Sequence, residues 1–196
     1  MKNIGTFVSS LVLFFVFCFS VTMALAEEIE TYEVDPIHST AFFKVGHYGF
    51  GFVRGGFTDI SGKIVVDRAH YANSTVEIVI KADSIHTNND QRDEHLKSKD
   101  FFDVAEFPVM HFRSRDIKRH SNKLYELTGD FTLHGRTKTI TVPVKFVGEG
   151  KDHYGAYRAG FETEFSIQRS EYGMTKYIPA AGDNVEITLV IEGIRK

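Results

Sequence analysis

The sequence predicts an all-β protein, an antiparallel barrel or sandwich with an apolar inside. Two observations carry this. Segments between Tyr32 and Ile194 alternate apolar and polar residues one by one, and turn-forming residues separate them at hairpin spacing. The clearest case is Tyr125, Leu127, Gly129, Phe131 and Leu133, interleaved with Leu124, Glu126, Thr128, Asp130 and Thr132. A period of two places the first set on one face of a strand.

The first 26 residues stand apart from this pattern. Lys2 forms a small basic region, an apolar core runs from Leu11 to Phe19, and Ala24-Leu25-Ala26 is a small-residue cleavage site. The apolar core is short for a spanning helix of about 20 residues, so residues 1–26 are expected to be a secretory leader cleaved after Ala26. Cys18, the only cysteine, leaves with it, and Phe17 is too bulky for a lipoprotein signal at that cysteine. The expected mature domain, residues 27–196, then has no disulfide and depends on its core. Without Lys2 it carries 22 basic against 26 acidic residues, scattered along the chain. That distribution offers no basic field for nucleic acid and no polybasic membrane patch. No repeat or linker divides it, so a single domain is expected.

Strands are expected in order over residues 31–34, 40–47, 57–66, 75–81, 109–113, 124–133, 139–147, 157–167 and 185–191. Nine segments suffice to close a barrel of about eight strands. Asp35-Pro36, Ser61-Gly62, His134-Gly135 and Gly182-Asp183-Asn184 supply turn chemistry. Ile140, Val142, Val144 and Phe146 share one face; so do Ala159, Phe161, Phe165 and Ile167, and Val185, Ile187, Leu189 and Ile191. Pro143 cannot donate to a ladder, which predicts an edge or bulge there. Residues 88–97 break the alternation and read as a short helix, with Asn88 as N-cap and Gln91 as its capping partner. Together with Phe101-Phe102 it is placed to cover one end of the barrel.

Alternation alone does not say whether the apolar face points in or out, and an outer-membrane barrel remains a rival at this stage. The chain has no Trp for interfacial girdles, its aromatics lie in mid-strand, and it finishes on Gly193-Ile194-Arg195-Lys196. These features favour an apolar inside. Ala41, Gly62, Gly129 and Ala159 fall on inward faces, and aligned gaps beside them would open a tunnel.

Several landmarks in order resemble the YceI-like family of bacterial polyisoprenoid-binding proteins. They are Asp35-Pro36-Ile37-His38-Ser39, Phe43-Lys44-Val45-Gly46-His47, Arg54-Gly55-Gly56-Phe57, Arg92-Asp93-Glu94-His95-Leu96, Ser98-Lys99-Asp100-Phe101-Phe102-Asp103, Leu133-His134-Gly135-Arg136-Thr137 and Ile167-Gln168-Arg169-Ser170-Glu171-Tyr172-Gly173-Met174. The resemblance covers essentially all of residues 27–196. It implies an extended, eight-stranded, lipocalin-like barrel in the periplasm that carries a polyprenyl phosphate, a quinone or a similar amphiphile, without catalysis. The expected partner is thus a long-chain lipid rather than nucleic acid, and transient membrane contact and a homodimer stay open.

For the ligand tail, inward-facing Phe43, Val45, Leu127, Phe131, Leu133, Val142, Val144, Phe161 and Phe165 are the candidates. For a polar head group they are Arg54, His47 and Arg169, because a guanidinium matches phosphate oxygens in a bidentate way. Asp93 and His95 sit two apart, a spacing that does not share a helix face. The remaining histidines form no metal-ligand spacing, and no cofactor motif occurs. An enzyme acting on a bound hydrophobic substrate, with His47 or His95 as acid or base, is the alternative.

Overall fold

A computed structural model describes residues 29–196; the expected leader and its cleavage site lie outside the described residues. The strands are β1 (Ile29–Val34), β2 (Thr40–His47), β3 (Gly51–Phe57), β4 (Ile60–Asp67), β5 (Thr75–Lys81), β6 (Ile85–His86), β7 (Val109–Arg119), β8 (Leu124–Leu133), β9 (Arg136–Lys151), β10 (Tyr157–Gln168) and β11 (Ala181–Arg195), with one helix, α1 (Asp90–Lys97). Eight of them close an antiparallel ring in the order β1-β4-β5-β7-β8-β9-β10-β11, and β11 returns to β1. The barrel expected from the alternation is the fold.

β11 is what closes it. Its last residues pair with β1 (Gly193 to Val34, Arg195 to Tyr32), and its first part pairs with β2 from Ala181 to Val190. The β2–β3 hairpin therefore continues the wall where the short β1 stops, and β6 adds two residues beyond β3. At the switch between partners lies an ion network. Arg158 Nη1 donates to Asp35 Oδ2 at 2.5 Å and to Glu192 Oε1 at 2.6 Å, and Arg158 Nε donates to Asp152 at 2.6 Å. His38 Nδ1 lies 2.7 Å from Asp35, and the Asp35 backbone N–H donates to the Glu192 carbonyl. Burial alone would raise the Asp35 pKa; hydrogen bonds from His38, Arg158 and the Ile37 N–H outweigh it and hold the carboxyl well below the usual carboxylate range.

The apolar faces point inward. Tyr32, Phe57, Ile60, Ile64, Ile78, Met110, Phe131, Leu133, Ile167 and Ile191 belong to the main buried cluster. Outside, Lys44 pairs with Glu186, Lys145 with Glu162, and Thr128 with Thr141. A transmembrane barrel has the reverse arrangement.

The chain departs from the expected elements at several places; β9 and β11 run beyond residues 139–147 and 185–191, and β6 is an added strand. Gly51–Phe57 is a strand, β3, whereas only Phe57 was expected to be extended. Its glycines hide the alternation, and the chain breaks at Thr58–Asp59 before β4. β7 runs to Arg119 because a bulge between Ser114 and Asp116 shifts the inward parity from Phe112 to Ile117. The helix N-cap is Asn89, whose side chain accepts from the Arg92 N–H at 2.9 Å; Asn88 takes a left-handed conformation instead (φ 61°). The gaps expected beside Gly62 and Gly129 are filled. A Cβ on Gly129 would stand 2.5 Å from the Arg113 carbonyl and 2.6 Å from the Phe112 ring, and one on Gly62 would stand 2.2 Å from the Glu77 carbonyl.

Pro143 lies where one ladder is missing. β9 pairs with β8 along residues 136–145 and with β10 only from Lys145 to Lys151, so its first half faces β10 without a hydrogen-bonded partner.

Two outcomes follow from these contacts. Gly129→Val overpacks the wall against Arg113 and Phe112, and we expect about 3 kcal/mol of destabilisation, a fall in Tm of about 6–12 °C by calorimetry. Asp35→Asn lowers stability at pH 7 by about 2 kcal/mol. Because the folded-state pKa of Asp35 is depressed, its contribution is fully present above the unfolded value of about 3.9 and is lost as pH falls towards the folded value. Denaturant titrations therefore show the gap between wild type and Asp35→Asn closing below about pH 4; a constant gap down to pH 2 contradicts the assignment.

Candidate functional site

A cavity of about 620 Å³ occupies the barrel interior. This lies within the range of about 300–1,000 Å³ typical of small-molecule sites. Every strand of the ring lines it, so it runs along the barrel axis rather than sitting between two elements. At mid-length the walls are Ile78, Phe112, Leu127, Phe131, Ile140, Val142, Phe165, Ile187 and Leu189. The rings of Phe131 and Phe165 meet edge to face at 6.5 Å, and those of Phe146 and Phe161 tilt at 5.7 Å. All nine expected tail residues, Phe43, Val45, Leu127, Phe131, Leu133, Val142, Val144, Phe161 and Phe165, lie on this wall.

The two ends differ. One is lined by His47 and Tyr48 from the β2–β3 turn, His95 from α1, Phe101, Tyr177 and Ala180. Helix α1 is held there by Asp93, buried and accepting from the Thr87 hydroxyl, and by Arg92, which donates to the Thr87 hydroxyl and carbonyl. Leu96 and Phe102 pack into the core beneath it, with Phe102 edge-on to Phe57 at 5.6 Å, so the helix covers this end as the sequence predicts. The opposite end is lined by Tyr71, Arg119, Asn122 and Tyr125. Arg119 stacks over Tyr71 with 4.7 Å between guanidinium carbon and ring centroid, and donates to Asn122. Of these, Tyr125 belongs to the alternating face of β8 read from the sequence, whereas Tyr71 lies between β4 and β5 and Arg119 and Asn122 lie beyond the β7 bulge, where alternation gives no signal.

The expected head-group residues have three different fates. Arg54 is exposed on the outward face of β3, opposite Lys44, and is not part of the cavity wall. The alternation of β3 explains it, since Val53 and Phe57 are the residues that face inward. Arg169 lines the cavity but is 4% exposed and saturated by the protein. Its guanidinium donates to the carbonyls of Gly182, Met174, Lys176 and Ala181 at 2.6–2.8 Å, which clamps the lip formed by residues 174–182. Burial pushes its pKa down from the usual arginine value, with the Asp183 charge opposing. His47 stands at the mouth, edge-on to the Tyr48 ring at 4.8 Å.

Among the other cavity arginines, Arg68 is bound by Glu30 and Glu149, and Arg92 by Thr87. The mid-length wall is therefore mainly apolar, and the cavity arginines engage protein partners, Arg119 through Tyr71 and Asn122 rather than a carboxylate. His95 is partly exposed, 3.2 Å from Asp100, between the rings of Phe101 and Tyr177. It stands at the same mouth as His47. Asp35, His38 and Glu192 bring ligand atoms within 4.8 Å of one another, but the Arg158 guanidinium already lies among them as the cation.

Comparison with known proteins agrees with this architecture. A UPF0312 protein of Ectopseudomonas mendocina is 38% identical over 159 residues, 81% of this chain and 83% of the relative. The fold is similar to that of BcnA from Burkholderia cenocepacia, with a TM-score of 0.73 at 23% identity, over 81% of this chain and 98% of that one. It is similar also to a polyisoprenoid binding domain from Saccharophagus degradans implicated in plant cell wall breakdown, with a TM-score of 0.65 at 15% identity over 84% and 98%. A family model of the YceI-like domain matches residues 32–193, nearly the whole described barrel. The chain belongs to the YceI-like family.

Proposed function

We propose that this protein is an exported, non-catalytic carrier that holds a long-chain isoprenoid, a polyprenyl phosphate or quinone, or a similar amphiphile, in the barrel interior. The observation that carries the reading is the cavity itself: about 620 Å³, threaded along the axis and walled by aliphatic and aromatic side chains. Withdrawing an apolar chain from water is favourable by about 0.8 kcal/mol per methylene, so a multi-unit tail needs no specific polar contact. The name of the Saccharophagus relative supports the chemical class of the cargo. Export rests on the leader read in residues 1–26, which supports a periplasmic site of action.

The engagement of Arg169, Arg68 and Arg92 by protein partners bears on the head group. Within the tunnel, binding energy comes from the tail. A charged head would project from a mouth rather than bind at mid-length, where the wall is mainly apolar; Arg119, exposed and held by Tyr71, Ser121 and Asn122, stands at the end opposite α1. His47 and His95, at one mouth, would contact whatever projects there.

Mass spectrometry of organic extracts, from protein purified without detergent from its own envelope, is expected to find a long-chain amphiphile near one per chain. An empty protein that also fails to take up polyprenols or quinones overturns the reading. Because the chain has no Trp, Phe165→Trp installs a single reporter in the tunnel wall. Its emission is expected to shift blue and saturate on titration with a long polyprenol, while Val144→Phe narrows the tunnel beside it and weakens that binding about tenfold or more. A shift unaffected by Val144→Phe places the ligand elsewhere.

A further inference from the structure

The β2–β3 turn is built to hold aromatic rings in the open. Tyr48 and Gly49 both have positive φ (51° and 73°), and the Phe50 N–H donates to the His47 carbonyl at 3.0 Å. That is a tight turn with both central residues left-handed, a conformation that normally favours Asn-Gly, within the three-residue loop between paired His47 and Gly51. Tyrosine gains nothing locally from a left-handed conformation, so its presence there calls for an explanation outside the turn. Phe50 is 91% exposed, and Tyr48 and Phe52 are each 60% exposed. The Tyr48 and Phe50 rings stack at 6.3 Å and 14°, so the tip is a fixed aromatic blade. A Cβ added at Gly46, Gly49 or Gly51 would meet nothing within 4 Å, so this blade stands clear of the barrel.

The blade adjoins the α1 mouth of the tunnel. The Tyr48 N–H donates to the Ala180 carbonyl at 2.7 Å, which ties the hairpin to the lip carrying exposed Tyr177 and Ile178. His47, Tyr48, Tyr177 and Ala180 line the cavity itself, so the apolar wall of the tunnel passes without a break onto this exposed surface.

We propose that this aromatic lip is the surface by which the protein seats its tunnel mouth on a lipid bilayer. Tyrosine and phenylalanine on a projecting turn suit the headgroup boundary, where an amphipathic ring is at home. The continuity with the tunnel decides between partners. A long apolar tail passing between membrane and cavity stays out of water only if the mouth is in contact with the acyl region. A second copy of the chain fits less well: the rings of the blade and lip expose roughly 500 Å², on a convex tip, below the roughly 800 Å² per partner that a stable dimer buries. This inference rests on the carrier reading for its purpose, but the docking itself can be measured without cargo.

The test is flotation of the full chain with vesicles of phosphatidylcholine, alone and with phosphatidylglycerol, alongside the double variant Phe50→Ser, Phe52→Thr. Both side chains are exposed and neither lies on the cavity wall, so the variant keeps the turn and the tunnel. Wild type is expected to float with both vesicle types, and the variant's partition is expected to fall at least tenfold at unchanged Tm. Transfer of a fluorescent polyprenol between vesicles should slow in parallel, while the Phe165→Trp emission shift on loading in solution stays the same. Equal flotation of variant and wild type overturns the proposal. A wild type that sediments as a dimer, with a monomeric variant, overturns it in favour of a second copy. Flotation that depends on the blade in a protein that takes up no isoprenoid leaves the docking surface standing and removes the carrier reading alone.

Discussion

Closure of the ring through β11 is the constraint on which the rest of the molecule depends. Eight strands leave an interior just wide enough for side chains or one ligand, and closure forces every alternating strand to commit one face to it. β11 achieves this by serving β10 along one edge and two successive partners along the other. The partner switch falls at Ile191–Glu192, where Arg158, Asp35 and Glu192 meet. Gly193 permits the close approach of Tyr32 there, since a Cβ would stand 2.9 Å from the Tyr32 Cβ. A slipped register would separate the half-buried Arg158 from these carboxylates.

Much of this architecture is legible in the sequence because a period of two is a physical requirement of a strand with one dry face. β2, β5 and β8 begin and end where the alternation does. The losses have equally physical causes. β3 carries Gly51, Gly55 and Gly56, so the side chains that would report its faces are missing; there Phe43 and Thr87 occupy the space a Gly55 side chain would need. The second half of β7 is concealed by a bulge, which changes which residues face inward without changing their types. The place of Phe43, Leu127, Val142 and Phe165 on the cavity wall is readable for the same reason as the strands. The arginines were not, because a guanidinium that binds phosphate and one that caps carbonyls look alike until the surrounding backbone is known. Arg169 ends beneath four carbonyls of a loop distant from it in pattern, and Arg54 falls on the wet side of a strand whose parity the glycines hide.

The interior and the rim thus divide the work. The wall supplies a dry, shape-tolerant surface from residues that any aliphatic or aromatic chain could contact. The α1 mouth carries His47, His95, Asp100, Tyr177 and the aromatic turn, and the other end carries Tyr71, Arg119, Asn122 and Tyr125. Asp100 gathers His95, Tyr177 and Lys176 around one carboxylate, and the hydrogen bond from His95 is the main reason its pKa lies below the ordinary value. The opposite end is stitched by Glu30, Arg68, Arg195 and Glu149 and is the more rigidly tied of the two.

The staggered pairing of β9 has a consequence for motion. Residues 136–144 of β9 hold on to β8 alone, with Pro143 unable to donate across the gap to β10. On the facing stretch of β10, the Thr163 hydroxyl is buried without a hydrogen-bond partner. Only side-chain packing, Phe165 against the cluster of Ile117, Leu127 and Val142, keeps the two strands together there. Local opening is drawn from segments with few backbone bonds to break. This seam is therefore one flank of the closed barrel that can part without unzipping a ladder.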